Sequence, residues 1–222
     1  MINLQDSVKT DKLIHAYFFA KNYVVKKGYA NEIDWQSKVS FQKLDAEQLL
    51  REVAWVILSA GLSARVVSTK FSALSDAFFD WDFTKILKKK SRCRDAALSF
   101  FNHPKKIDSI IFFAERIDER GFESIKKHIE IDGINYLDDF PFMGPATKLH
   151  LAKNIGLDYA KPDRHLVRIA TNVGYSTPQE MCAVVAQRIN EKISVIDLVV
   201  WRFATIKKDY LSKLTHYLNH SS

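Results

Sequence analysis

Cysteine, proline and glycine are all scarce in this chain of 222 residues, which carries only 2 Cys, 5 Pro and 7 Gly. Two cysteines far apart, Cys93 and Cys182, give no disulfide framework and no iron–sulfur ligand spacing. The shortage of Gly and Pro, together with the lack of alternating β-branched runs, argues against a sheet protein and for a mostly helical fold. No stretch of about 18 apolar residues occurs, so no membrane span is expected. Met1 to Thr10 lacks a secretory apolar region, which makes an intracellular, cytoplasmic and nucleoid-associated setting the expectation. Internal repeats and low-complexity tracts are missing as well.

What is present is a large apolar fraction, 47%, and a net charge of +7. The first is enough to bury a full core, and its even spread predicts one domain over residues 1–222. The second favours a polyanionic partner without identifying it. The densest cationic cluster is Lys85, Lys88, Lys89, Lys90, Arg92 and Arg94. It reads equally as a solvated helix end or as a phosphate-contact surface.

Periodicity and end signals predict a helix over Lys9–Lys27 ending at Gly28, then a polar connection to about Lys43. Asp45 caps a helix through Ser59, with Gln48 in the capping-box position. Further helices are predicted at Arg65–Phe79, Asp82–Lys89, Arg94–Phe101, Pro104–Arg120, Phe122–Ile129, Ile134–Phe140 and Pro145–Asn154. Beyond these come Arg164–Asn172, a run starting at Thr177 and reaching Ile189, Val195–Ile206, and a tail helix around Asp209–Leu218.

The segment Leu137-Asp138-Asp139-Phe140-Pro141-Phe142-Met143-Gly144-Pro145-Ala146-Thr147-Lys148 reads as two helices joined by a minimal turn. Gly144 is expected to supply positive φ, and Pro145 the pre-set first helical residue. Free amides at such a helix start suit an anion, including a nucleic-acid phosphate. Lys161-Pro162-Asp163-Arg164-His165-Leu166-Val167-Arg168 follows, with Asp163 placed to cap the next helix. Capping alone explains an aspartate there. The cap is also compatible with catalysis, because amide donors and the helix dipole hold the carboxylate ionised.

This pair of segments resembles the helix-hairpin-helix and downstream aspartate of the base-excision DNA glycosylase superfamily. Two more stretches resemble the same family in the same order, Glu52 to Val67 and Phe101 to Ile111, so that the likeness covers roughly residues 46 to 204. It implies an all-α fold of two helical lobes with an active-site cleft between them. Asp163 matches the catalytic carboxylate that stabilises a sugar cation and activates water. His165 and Arg168 fall where the family has a supporting His and Arg. The hairpin residues Phe142, Met143, Gly144, Ala146, Thr147 and Lys148, with Lys161 and Arg164, match positions that grip DNA. Lys153 belongs to the same flanking set of cations.

Departures from the family pattern shape the expectation. Phe142 replaces the first hairpin glycine. Ala146 stands where bifunctional members carry a lysine nucleophile, and Lys148 lies about 200° around the helix from it, so no Schiff-base lyase step is expected. No four-cysteine cluster closes the chain, and no cofactor is expected. Gly61 replaces the glutamine that many relatives place in the gap left by an extruded base, and Ala60-Gly61-Leu62-Ser63 resembles the methyladenine glycosylase branch. The expected substrate is a damaged or modified base in duplex DNA, and this loop tilts the expectation toward an alkylated purine.

Gly61, Leu62 and Ser63 are the pocket candidates, with Tyr29 and Trp35 as an aromatic wall, while Trp55 and Trp201 are expected in the core. His216 and His220 have a metal-compatible i, i+4 spacing that His15 could join, but a solvated tail accounts for them and no metal is expected. The expected protein is a monomeric, monofunctional DNA glycosylase of base excision repair. Its alternatives are a non-catalytic helix-hairpin-helix binder of DNA structure, or a glycosylase for naturally modified, phage-type bases.

Overall fold

The computed structural model describes residues 4–220; at residues 4–7, 64 and 218–220 it describes the backbone alone. In chain order the helices are α1 (Leu4–Lys26), α2 (Ala30–Lys38), α3 (Ala46–Ser59), α4 (Ala64–Ala77), α5 (Phe83–Lys88), α6 (Lys90–Phe100), α7 (Pro104–Arg120), α8 (Phe122–Asp132), α9 (Pro145–Asn154), α10 (Arg164–Asn172), α11 (Pro178–Ile189), α12 (Ile193–Ile206) and α13 (Tyr210–His220). Short 3₁₀ turns at Phe41–Lys43, Phe79–Trp81 and Gly133–Asp139 complete the set, and no strand occurs among the described residues. The fold is all-α. None of the described helices is long and apolar enough to cross a membrane.

The chain divides into two compact units. One is discontinuous, formed by Met1–Val39 with Gly156–Ser222, and the other is Ser40–Ile155. The even spread of apolar residues along the sequence carries no mark of this division, because each unit has its own core.

In the discontinuous unit α12 is the hub. Val195, Ile196, Val199, Val200 and Phe203 are buried around its circumference, and Leu13, Tyr17, Val24, Leu166, Ile169, Met181, Val185 and Leu214 close on them. Each such side chain contributes about 1.5–3 kcal/mol when fully buried. Helix α2 occupies what the sequence suggests is a loose connection. Two contacts with α12 and its N-cap hold it. The Arg202 guanidinium forks onto the Glu32 carboxylate at 2.8 and 2.6 Å. The Lys192 ammonium donates to the carbonyls of Ser37 (2.7 Å) and Val39 (2.8 Å), satisfying acceptors that the helix end leaves open.

In the continuous unit α3 and α7 form the centre, with Leu49, Leu50, Val53 and Ile57 packed among the same unit's Ile107, Ile110, Phe113 and Ile117. The capping box at the start of α3 is formed as the spacing predicts: Gln48 N–H donates to Asp45 Oδ1 at 2.7 Å and Asp45 N–H to Gln48 Oε1 at 3.4 Å. Three consecutive residues after α4, Phe79, Asp80 and Trp81, have φ of 50°, 53° and 70°. Left-handed backbone costs about 1–2 kcal/mol per non-glycine residue. Trp81 offsets it by stacking between Phe71 (5.2 Å) and Phe78 (5.5 Å). The helix predicted over Ile134–Phe140 is instead the 3₁₀ turn Gly133–Asp139, packed on α8.

Candidate active site and nucleic-acid interface

The hairpin turn sits in the continuous unit. Met143 N–H donates to the Phe140 carbonyl at 3.2 Å, closing the turn, and Lys148 N–H donates to the Gly144 carbonyl at 2.9 Å, the first bond of α9. The residue with positive φ is Phe142 (63°), not Gly144, whose φ of −67° and ψ of 173° any residue adopts. The expectation for Gly144 is therefore corrected: the left-handed step falls two residues earlier, where a half-buried aromatic anchors it. Gly144 contributes something else. As N-cap of α9 it brings no side-chain oxygen, so no side chain caps the helix, and Pro145 at the first position has no N–H to cap. The amides of Ala146 and Thr147 are left without intrahelical acceptors by helix geometry. A Cβ at Gly144 would meet nothing within 4 Å, so the turn is open on that side.

Gly144 and Ala146 are exposed and Thr147 is half-buried, whereas Met143 is buried in the core beneath the turn. Lys148 is buried too, and its ammonium is paired with the Asp138 carboxylate, joining α9 to the preceding 3₁₀ turn. Lys153 is likewise buried. At the far end of α9, Asn154 Nδ2 donates to Glu52 Oε2 of α3 at 2.9 Å. Burial pushes the Glu52 carboxyl above the usual carboxylate range, against the opposing pull of Arg51 and Asn154.

A residue that sequence reasoning overlooked links this turn to the loop Ala60–Ser63. Lys106, on α7, is buried, and its ammonium donates to the carbonyls of Leu58 (2.8 Å) and Ala60 (2.6 Å) at the end of α3. The same Nζ lies 5.9 Å from the centre of the Phe142 ring, and His103 stands edge-on to that ring at 6.3 Å. Burial holds the Lys106 pKa below the usual lysine value. The loop it fixes has Gly61 at φ 75° and ends at Ser63, whose hydroxyl caps α4 by accepting from Val66 N–H at 3.4 Å. Leu62 and Val66 are exposed there. No local signal marks Lys106, since its acceptors lie 48 and 46 residues earlier in the chain.

Asp163 belongs to the discontinuous unit. It is the N-cap of α10, and its Oδ1 accepts from both His165 N–H and Leu166 N–H at 2.9 Å. Both amides converge on one oxygen, and the half-buried side chain keeps Oδ2 outside the cap. The segment before it is pinned in turn. Ala160 N–H donates to Gln179 Oε1 and Lys161 N–H to Oδ2 of the buried Asp197, each at 2.7 Å, and Asp163 N–H donates to the Lys161 carbonyl at 2.8 Å. The carboxylate is thus carried by a segment whose backbone amides are hydrogen-bonded at Ala160, Lys161 and Asp163.

The His165 ring meets the Tyr210 hydroxyl at 3.2 Å, and burial lowers its pKa despite the nearby Asp163, which favours neutral imidazole. Arg164 and Arg168 are exposed and Lys161 is half-buried. No family model, curated protein or solved structure matches the chain. The functional reading therefore rests on the residues themselves.

The remaining candidates divide between the units. Tyr29 is half-buried in the discontinuous unit, with the Arg202 guanidinium 4.4 Å from its ring centre, and Trp35 on α2 is 44% exposed. Gly61, Leu62 and Ser63 are exposed in the continuous unit. Of the expected core tryptophans, both Trp55 and Trp201 are half-buried. Among the described residues no group of three or more His, Cys, Asp or Glu could hold a metal. His15 is exposed and His216 packs edge-on to Tyr217, while the side chain of His220 lies outside the described residues.

Proposed function

We propose that the protein is a monofunctional DNA glycosylase that hydrolyses the N-glycosidic bond of a damaged or modified base in duplex DNA. The observation that carries this reading is the state of Asp163: a carboxylate fixed by two amides through one oxygen, with the other left for chemistry, directly after the segment that follows the hairpin helix. As the bond between C1′ and the base nitrogen breaks, its electron pair leaves with the base and positive charge develops on the sugar. A fixed carboxylate stabilises that charge. Water then adds at C1′, and Asp163 Oδ2 takes its proton.

The exposed hairpin supports the DNA-facing part of the reading. Open amides at Ala146 and Thr147 bind a phosphate without regard to sequence, and exposed Arg164 and half-buried Lys161 supply charge beside Asp163. Hydrolysis rather than lyase chemistry fits the residues: Ala146 has no amine, and the Lys148 ammonium is engaged by Asp138. The alkylated-purine preference rests on the resemblance of the Ala60–Ser63 loop. Bases modified by design, as in phage DNA, are the same chemistry on a different substituent.

A second reading, a non-catalytic binder of DNA structure, is favoured by the cap itself, which accounts for Asp163 without a reaction. One experiment separates the two. The protein is incubated with duplexes carrying alkylated, deaminated, oxidised and hydroxymethylated bases, and strands are resolved with and without hot alkali. Breakage only after alkali on at least one substrate is the expected result. Tight binding with no alkali-labile site on any substrate would leave the binder.

A further inference from the structure

Between Phe83 and Arg94 the chain has six cations and no carboxylate. The structure sorts them into two groups. Lys85 is paired with Asp82 at 3.0 Å, Lys90 with Glu115, and Arg94 with Asp108 through a fork of 2.6 and 3.2 Å. Lys88, Lys89 and Arg92 are exposed and enter no ion pair among the described residues. Lys89 is the break between α5 and α6, with φ −131° and ψ 33°, so Lys88 ends one short helix and Arg92 lies in the first turn of the next. The Cys93 thiol lies one turn on from Lys89, whose carbonyl accepts from Cys93 N–H at 3.0 Å. It is buried, and the charges that act on it are those of Arg92 and Lys89. Lys89 Nζ is also held 5.0 Å from the Phe79 ring, on the left-handed turn that directs α5.

The inner side of α6, at Lys90 and Arg94, faces the segment that leads into the hairpin. An open groove of about 490 Å³ runs between α6 and α7, with Lys90, Arg94, Asp108, Glu115, Phe112 and Pro141 in its walls. Pro141 directly precedes Phe142. Within the groove each cation of α6 faces a carboxylate of α7, so its charge is balanced; the uncompensated charge lies on the outer edge, at Lys88, Lys89 and Arg92.

We propose that Lys88, Lys89 and Arg92 form a second phosphodiester-binding edge, which holds the nucleic-acid backbone at a distance from the hairpin turn and fixes the direction of the duplex on this unit. The proposal rests on the DNA-binding reading above. A solvated helix end would need no such sorting, in which Lys90 and Arg94 are neutralised by Glu115 and Asp108 of α7 while Lys88, Lys89 and Arg92 are left unpaired among the described residues. Cations of this kind supply affinity and register rather than base choice.

The test measures binding of an undamaged duplex to the full-length protein by fluorescence anisotropy across a salt series. Each phosphate contact contributes about 0.9 to the slope of log K against log salt. The triple variant Lys88→Ala/Lys89→Ala/Arg92→Ala is expected to lower that slope by about 2.7, and Arg92→Ala alone by about 0.9. A matched variant of the other unit, Lys26→Ala/Lys27→Ala/Lys208→Ala, removes the same charge from exposed positions. It is expected to change the slope by less than about 1. Equal slopes for the two triple variants would overturn the edge while leaving DNA binding intact. If the wild-type chain shows no salt-dependent binding at all, the DNA-binding reading fails and the edge with it.

Discussion

Replacing Lys106 by Met tests the internal scaffold of the candidate interface, because methionine keeps the length and apolar stem of the side chain and removes only the ammonium. In the native protein that ammonium is buried and donates to the Leu58 and Ala60 carbonyls at 2.8 and 2.6 Å. A hydrogen bond from a charged group contributes about 1.5–3 kcal/mol, so two would amount to about 3–6 kcal/mol if nothing opposed them. The opposing effect is desolvation, which holds the Lys106 pKa down and is relieved when the charge is removed. A net loss of about 2 kcal/mol is expected, or roughly 4–8 °C in Tm for a chain of this size.

The pH dependence has a definite sign. A lysine whose folded pKa lies below its unfolded value binds fewer protons when folded, so its contribution grows as pH rises from the folded pKa towards about 10.4. The deficit of the Lys106→Met variant should therefore be larger at pH 10 than at pH 7 in urea unfolding. Because Phe142 and the Ala60–Ser63 loop share this ammonium, duplex affinity should fall as well. A variant within about 0.5 kcal/mol of wild type at both pH values, or a deficit that shrinks with pH, would refute the claim that Lys106 organises this region.

Two further variants address the helices that carry the site. Gly144→Ala should fold normally and stay within about 0.5 kcal/mol of wild type, since φ is −67° and the space is open, so that the lower freedom of the unfolded chain offsets the poorer N-cap; a variant destabilised well beyond that would mean that the glycine is needed for backbone freedom after all. Glu52→Gln keeps an acceptor for Asn154 and removes a buried charge whose pKa is raised. In the wild type the contribution of Glu52 is present in acid and lost as pH rises through its folded pKa, so the variant should be the more stable protein at neutral pH, with its advantage disappearing below about pH 4. Thermal unfolding at pH 4 and 7 decides it, and an advantage confined to pH 4 would contradict the account.

How far the sequence discloses this architecture depends on whether the deciding contacts are local. The bounds of α7, α9 and α10 follow from Pro104, Pro145 and Asp163, residues that act within one turn of where they stand. Asp45 with Gln48, and Thr177 with Glu180, work the same way. Helix α2 is poorly legible because Lys192 and Arg202, more than 150 residues away, hold it. The three left-handed residues at Phe79–Trp81 follow from stacking around Trp81, which no propensity encodes.

At the site, Asp163 is readable as a cap and as a candidate base from its position alone. The fate of the lysines is not. Lys148 and Arg164 look alike as charges beside the motif, yet one is buried against Asp138 and the other exposed. The difference lies in which face of a helix meets a core, and for α9 that is set by α3 and the 3₁₀ turn. The basic run 85–94 shows the same limit: its charge is plain in the sequence, whereas the pairing of Lys90 and Arg94 depends on α7 and only that of Lys85 with Asp82 is local.

The most direct test of the central claim separates the cap from the charge at Asp163. Asparagine caps a helix as well as aspartate does, whereas alanine costs about 1 kcal/mol. On the substrate identified by alkaline cleavage, single-turnover excision by Asp163→Asn should fall by about 10²–10³-fold, the size of effect seen when a charge-stabilising group is lost. Its Tm should stay at the wild-type value and its duplex affinity should be unchanged or tighter, while Asp163→Ala loses both excision and about 2–4 °C. Excision by Asp163→Asn near the wild-type rate would show that Asp163 only caps α10, and would remove the carboxylate from the mechanism.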